Sequence, residues 1–370
     1  VFVDTWIKDG RKNSFFLIKN SEISLRNTLV TTCYNEIANV RNWIDDVTGQ
    51  TRAADEICIV DAGSTDGTLH VLQEWASKDS RVRVLVSDRC NVAKGRNLAI
   101  FESAGEIILS TDMGCRLDKD WMAALLKEIE ADDSVQAVAG GYAADRETIR
   151  TRTAKIFYFL NSGYKPRLTA GFYPSSRSIC YRKSVWERIG GYDETLTFAG
   201  DDTLFAQKMY QLGIKIAMAS GAVAFWERHA SLSGYVKEAG RYGLGNGEAG
   251  LCKEEFMRRI LPQTLKYPLL LTALVLFSFV RSNRSRILFV MASLLLLSTF
   301  WIFAVRLKMV LGRYLRHRLS GSRYTDLLLA LIYQDVADME YSRKYLVGWM
   351  KRRRTSAAQS SRGFEDDHSK

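Results

Sequence analysis

Apolar and polar positions divide the chain into two unlike parts. From Asn27 to about Gly250, short apolar or β-branched runs alternate with stretches of helical spacing. Asn27–Cys33, Glu56–Val60, Val82–Val86 and Ile107–Leu109 are strand-length and rich in Val, Ile and Thr. Between them, Val40, Trp43, Ile44 and Val47 recur as on one helical face, and Thr68–Lys78 and Asn91–Ser103 also read as helices. This alternation predicts an α/β fold: a mostly parallel sheet flanked by helices. Further strands are expected at Val135–Gly141 and Ser178–Arg182. Helices are expected from Asp118 to Glu130 and around Trp186, the latter closed by Gly190-Gly191. Phe157–Pro174 reads as an aromatic loop, either packed or bordering an acceptor, and Val1–Arg26 has no clear pattern.

Beyond Ile260 the pattern changes. Ile287–Val305 is nineteen residues without a charge, the length of a transmembrane helix. Leu269–Val280 is only twelve, and reads as a weak span, a re-entrant or interfacial segment, or a core helix. Leu307, Val310, Leu311, Tyr314 and Leu315 share one face opposite Arg and Lys, which predicts an interfacial helix on anionic lipid. Lys351–Arg354 adds a polybasic patch, and Thr355–Lys370 is polar enough to be disordered. The expected organisation is an extension (residues 1–26), a globular domain (27–250), a linker with a possible first membrane segment (251–286), a transmembrane helix (287–305), a basic amphipathic region (306–354) and a tail (355–370).

Charge sharpens this division. The 52 Lys and Arg exceed the 41 Asp and Glu, and the excess lies after Ile260, which points to membrane lipids as partners. No nucleic-acid motif accompanies it, so no nucleic-acid partner is expected. The six cysteines are scattered without a CxxC pair, as in a reducing compartment. Val1–Asn20 lacks an apolar run, so no signal peptide is expected; the first residue is Val, as in a fragment or trimmed sequence.

Three stretches carry candidate chemistry. Asp112 ends the Ile107–Leu109 strand, and ligands of open α/β sheets bind outside the carboxyl ends of strands. A carboxylate there holds a divalent cation or a ribose hydroxyl, or caps the next turn. Asp61–Thr68 is a Gly-rich polar loop after a strand, suited to a nucleotide or anion, or to an ordinary capped turn. Asp201-Asp202 opens a helix, where acidic residues complement the helix dipole or perform proton transfer.

Taken in order, Cys33-Tyr34-Asn35-Glu36, Val60–Thr68, Gly95-Arg96-Asn97 and Thr111-Asp112 resemble the family 2 glycosyltransferases, and the resemblance covers roughly Asn27 to Gly250. It implies a GT-A fold and inverting transfer from a nucleotide-sugar donor. It also implies that Thr32, Tyr34, Asn35, Glu36, Asp61, Arg96 and Asp112 line the nucleotide-sugar site. Asp112 would hold Mg2+ or Mn2+, and Asp202 would be the catalytic base. Asp201, Arg241 and His229 would serve the acceptor or the diphosphate. Two departures stand out: Ala62 and Gly114 occupy places where the family commonly has acidic residues. The run Thr111–Trp121 is similar to a membrane-linked bacterial subgroup.

The resulting expectation is a membrane-anchored glycosyltransferase at the cell inner membrane, its catalytic domain cytoplasmic, making polysaccharide or glycolipid from a saccharide or lipid-linked acceptor. A polyprenyl-phosphate acceptor, or a degenerate nucleotide-sugar-binding protein without turnover, are the rival expectations.

Overall fold

The computed structural model describes residues 4–6, 12–14, 25–161, 169, 172–226, 230–283 and 285–367. Strands β1 (Asp4–Trp6) and β2 (Lys12–Ser14) form an antiparallel pair in the region without sequence pattern. Then β3 (Asn27–Cys33), α1 (Val40–Thr48), β4 (Glu56–Asp61), α2 (Thr68–Lys78), β5 (Val82–Val86), α3 (Val92–Glu102) and β6 (Ile107–Ser110) alternate as expected. Side chains on β3 and β4 divide by parity. Leu29, Ile57 and Ile59 enter one core with Trp43, Trp75 and Trp121, whereas Val30, Cys58 and Val60 enter a second core with Ile100, Phe205 and Met209. A strand buried on both faces must be apolar at odd and even positions alike, which is why these runs are continuous. Trp43 and Trp75 meet edge to face, 6.1 Å between ring centroids.

The chain continues through β7 (Cys115–Leu117), α4 (Trp121–Ala131), β8 (Ala137–Ala144), α5 (Arg152–Leu160), β9 (Ile179–Arg182), α6 (Lys183–Ile189), α7 (Asp201–Gln211), β10 (Ile216–Trp226) and α8 (Leu232–Ala249). The eight-stranded sheet has the order β5-β4-β3-β6-β9-β8-β10-β7. Its first half is parallel, but β9 runs antiparallel to both neighbours and β7 antiparallel to β10, so the sheet is mixed. The reason lies in α5. Phe157 to Leu160, read from sequence as loop, are its last turn, and the helix packs with the C-terminal helices. With α5 packed there, β9 returns in the opposite direction to β8.

A short α9 (Lys253–Glu255) and a π-helical turn (Phe256–Ile260) lead into α10 (Leu261–Asn283), α11 (Arg286–His317) and α12 (Asp326–Asp367). Lys253–Val280 and Arg286–His317 are long and apolar enough to cross a membrane. Their apolar side chains face outward, with Leu271, Ile287, Leu297, Phe300 and Trp301 all more than 60% exposed. The twelve-residue Leu269–Val280 run gains length by continuing through Pro268, whose lost amide costs one hydrogen bond.

The proposed interfacial helix is instead the end of α11. Val310 and Tyr314 are buried, and the Tyr314 ring stands edge to face on Phe159. Leu307, Leu311 and Leu315 stay exposed. Helix α12 runs on to Asp367, across most of the segment expected to be disordered. Its preceding turns are packed, and extending an existing helix costs far less than nucleating one.

Helix α8 lies between α12 and the loop entering α7. A Cβ on Gly243 would sit 2.4 Å from the Tyr341 carbonyl oxygen, and one on Gly247 2.2 Å from that of Tyr345. On its other side, a Cβ on Gly245 would be 2.1 Å from the Ala199 carbonyl. These glycines let three backbones touch, so Gly240–Gly247 is an interior part of a helix. At the far side of α12, Asp335 takes Lys266 of α10 at 2.5 Å, and Asp338 pairs with Arg306 of α11, tying both apolar helices to it. Gly243→Leu should force α12 off α8 and lower stability by about 1–3 kcal/mol or more. Thermal unfolding of the detergent-solubilised protein measures this, and an unchanged midpoint would contradict the packing.

Candidate functional site: a carboxylate–guanidinium cleft

A cleft of about 720 Å³ opens where the ends of β3 and β6 meet the starts of α7 and α8. Glu36, Arg96, Asp112, Asp201, Asp202 and Arg241 all line it. Side chains separated by well over a hundred residues thus converge on one space, as the sequence reading requires of Asp112 and Asp202.

Each is positioned by local chemistry. Gly95 lets α3 start against β3, since a Cβ there would lie 2.6 Å from the Thr32 methyl. Arg96 then turns beneath the cleft. It donates to Asp112 Oδ1 from Nη2 and to Asp201 Oδ2 from Nη1, both at 2.6 Å, and is 4% exposed. Arg96 therefore faces two carboxylates, where a nucleotide contact was expected. Its buried Nε has no hydrogen-bond partner among the described residues.

Gly200, at φ +96°, makes the left-handed turn that opens α7. The two acids after it divide their tasks. Asp201 is buried on Arg96. Asp202 accepts from Ser175 Oγ at 3.1 Å through Oδ2 and from the Thr203 amide at 2.8 Å through Oδ1. Burial pushes the Asp201 carboxyl up to about 6; Arg96 opposes that shift, while Asp202 and Asp112 add to it. Burial would also raise Asp112, but Arg96 and Arg177 outweigh it and hold that group below the ordinary carboxylate range.

Four expected nucleotide residues lie outside this lining. Asp61 is fully buried, its Oδ1 accepting from the amides of Gly63 and Ser64 at 2.9 and 2.7 Å. It holds the turn of its own loop and is not open to a ligand. Asn35, at φ 56°, binds that loop through Ser64 Oγ and the Thr65 amide, both at 2.9 Å. Tyr34 is exposed beside them, and Thr32 packs on Gly95. His229 lies outside the described residues. Arg241 is exposed at the mouth, its guanidinium 5.6 Å from the Phe198 ring centre.

Residues the sequence reading missed complete the site. Arg177, just before β9, stacks 3.8 Å above the Trp226 ring and donates to the Tyr242 hydroxyl at 3.1 Å. Its Nε lies 3.5 Å from Asp112 Oδ2. A lone Arg before a strand has no sequence signature; Tyr242, beside the Arg241 singled out, offered the nearer clue. Asp202, Ser175, Arg177, Trp226, Glu238 and Tyr242 also line a second cavity of about 710 Å³. That cavity extends past Tyr142, Tyr235 and Asn246 to Ile260 and Asp338, beside the apolar helices.

The cation expected at Asp112 can be tested against these donors. Mg2+ and Mn2+ need free, hard oxygens. Both oxygens of Asp112 face guanidinium groups, and Gly114 supplies no second carboxylate. No group of three His, Cys, Asp or Glu suited to a metal occurs among the described residues. The described residues do not fit a cation bound through Asp112.

Residues 28–189 match the family model described as Glycosyl transferase family 2. These residues form a family 2 glycosyltransferase domain. Among relatives of this glycosyltransferase, Glycosyltransferase AglE of Haloferax volcanii is 21% identical over 64% of this chain and 78% of its own length. The O-antigen chain rhamnosyltransferase RfbN of Salmonella typhimurium is 27% identical over 53% of this chain and 64% of its own. The Escherichia coli chondroitin synthase is 25% identical over 49% of this chain, which matches only 26% of that protein. A solved mannosyltransferase from Pyrobaculum calidifontis, in complex with GDP-Man and Mn2+, aligns over 88% of this chain and 87% of its own at 18% identity, with a TM-score of 0.48. The expected α/β architecture with apolar C-terminal helices is what the glycosyltransferase has, with the mixed sheet described above.

Replacing Arg96 by Leu leaves Asp112 and Asp201 facing each other without their shared counter-charge. The variant should lose about 3–5 kcal/mol of stability, readable as a lowered unfolding midpoint; a midpoint equal to wild type would show the bridge to be dispensable.

Proposed function

We propose that the enzyme moves a sugar from a nucleotide-sugar donor to a hydroxyl acceptor with inversion at the anomeric carbon, in polysaccharide or glycolipid synthesis. The observation carrying this reading is that Asp202 lines both cavities. The cleft on the Arg96–Asp112 side takes the donor, its rim formed by Thr32, Tyr34, Asn35 and the loop that Asp61 holds. The aromatic cavity on the other side takes the acceptor.

In the transfer step, the acceptor oxygen forms a bond to the anomeric carbon while the bond to the diphosphate oxygen breaks. The bonding pair leaves with the diphosphate, and the acceptor proton passes to Asp202. A single base suffices, because the nucleoside diphosphate is a good leaving group once its charge is met. Ser175 and the Thr203 amide fix the carboxylate, and Asp201 anchors the start of α7 to Arg96. Arg241, exposed at the mouth, suits a phosphate oxygen of the donor.

The acceptor cavity reaches Ile260, next to the first apolar helix, which supports a saccharide carried on a lipid. With α10 and α11 as a hairpin in the inner membrane, the α/β domain lies on the cytoplasmic side, where nucleotide sugars are made.

Membranes carrying the protein, incubated with a panel of nucleotide sugars, should transfer sugar to endogenous acceptor. Asp202→Asn should lower the rate by about 10²–10⁴-fold while nucleoside diphosphate binding persists. Transfer unaffected by that change would remove Asp202 as the base and favour a phosphate acceptor, whose oxygen needs no deprotonation. Nucleotide binding without any transfer would favour the degenerate binding protein.

A further inference from the structure

A nucleoside diphosphate brings several negative charges into a cleft that already holds Asp112, Asp201, Asp202 and Glu36. Something cationic must face it. Arg96 is pinned between two carboxylates and buried, so it cannot turn to a ligand. Arg177 differs. Its contact with Asp112 is the longer one, at 3.5 Å, and its other partners are neutral: Ser175 Oγ at 3.3 Å, Tyr242 Oη at 3.1 Å and the face of Trp226. Asp112 takes its shorter contact from Arg96, which leaves the Arg177 guanidinium the less tightly held of the two. It lines the donor cleft and the acceptor cavity together.

Position 114 strengthens the contrast. A Cβ there would stand 3.7 and 3.8 Å from the two carboxylate oxygens of Glu36. A second acid at this place would meet that like charge, which glycine avoids.

We propose that the Arg177 guanidinium, held beside Asp112, binds the donor diphosphate and takes up the charge that develops as the bond to the sugar breaks, so that this site works without a divalent cation. The inference rests on the donor-cleft reading above. A guanidinium presents paired donors to two phosphate oxygens, and stacking on Trp226 fixes its plane in advance.

The test uses the full chain in detergent with UDP, GDP, CDP and dTDP as probes, titrated by calorimetry in EDTA and again in Mn2+. At least one probe should bind, with equal affinity in both. Arg177→Gln should weaken it about ten- to a hundredfold and leave binding of the parent nucleoside unchanged, a split that a merely structural role would not produce. Arg177→Lys should recover part of the loss. Binding that vanishes in EDTA and returns with Mn2+ overturns the proposal, and this comparison uses wild-type protein only. Diphosphate affinity unchanged in Arg177→Gln overturns it as well. If no probe binds under either condition, the donor-cleft reading falls with it; cation-dependent binding leaves that reading standing.

Discussion

One buried guanidinium joins the two halves of the cleft. Arg96 reaches Asp112 at the end of β6 and Asp201 at the start of α7, in segments that share no strand pairing. Without it, two carboxylates would be left close together and poorly hydrated, an arrangement that proteins avoid by protonation or by moving apart. With it, the start of α7 is drawn toward the sheet, and the position of Asp202 follows from that of its neighbour. Desolvating three charges is expensive, so the bridge is better understood as setting geometry than as adding net stability.

Much of this was legible in the chain. The apolar runs at Asn27–Cys33, Glu56–Val60 and Ile107–Leu109 had no other use than strands buried on both faces, and they are those strands. The ordered motifs located Glu36, Arg96 and Asp112, the resemblance they carry implied Asp201 and Asp202, and all five line one cleft. What stayed hidden depends on distant contacts. β9 looks like any other strand, and its reversed direction follows from where α5 packs. Asp61 and Arg96 lie in recognisable motifs, yet whether such a side chain faces a ligand or its own loop is decided by burial, which one sequence does not display. Arg177 acquires meaning only beside Trp226 and Tyr242, residues that approach it from β10 and α8.

The C-terminal part shows a similar limit. Its apolarity identified helices suited to a bilayer, but amphipathic spacing could not distinguish a face turned to lipid from one turned to protein. Val310 and Tyr314 belong to the second kind, packed with Phe157 and Phe159 of the catalytic domain. The Lys266, Arg306, Asp335 and Asp338 cluster, scattered over seventy residues of sequence, sits at the junction of three helices.

The glycines of α8 carry one more implication. Because they expose bare backbone to α12 on one flank and to the entrance of α7 on the other, the catalytic half is not a detachable body with an anchor hung from it. Cutting the chain near residue 250 to obtain a water-soluble enzyme would strip the cover from a groove shaped for helix-to-helix contact, and the acid-bearing turn resting on the same helix would lose its backing. Solubility in this enzyme is better sought by altering the outward-facing side chains of α10 and α11 than by removing α12.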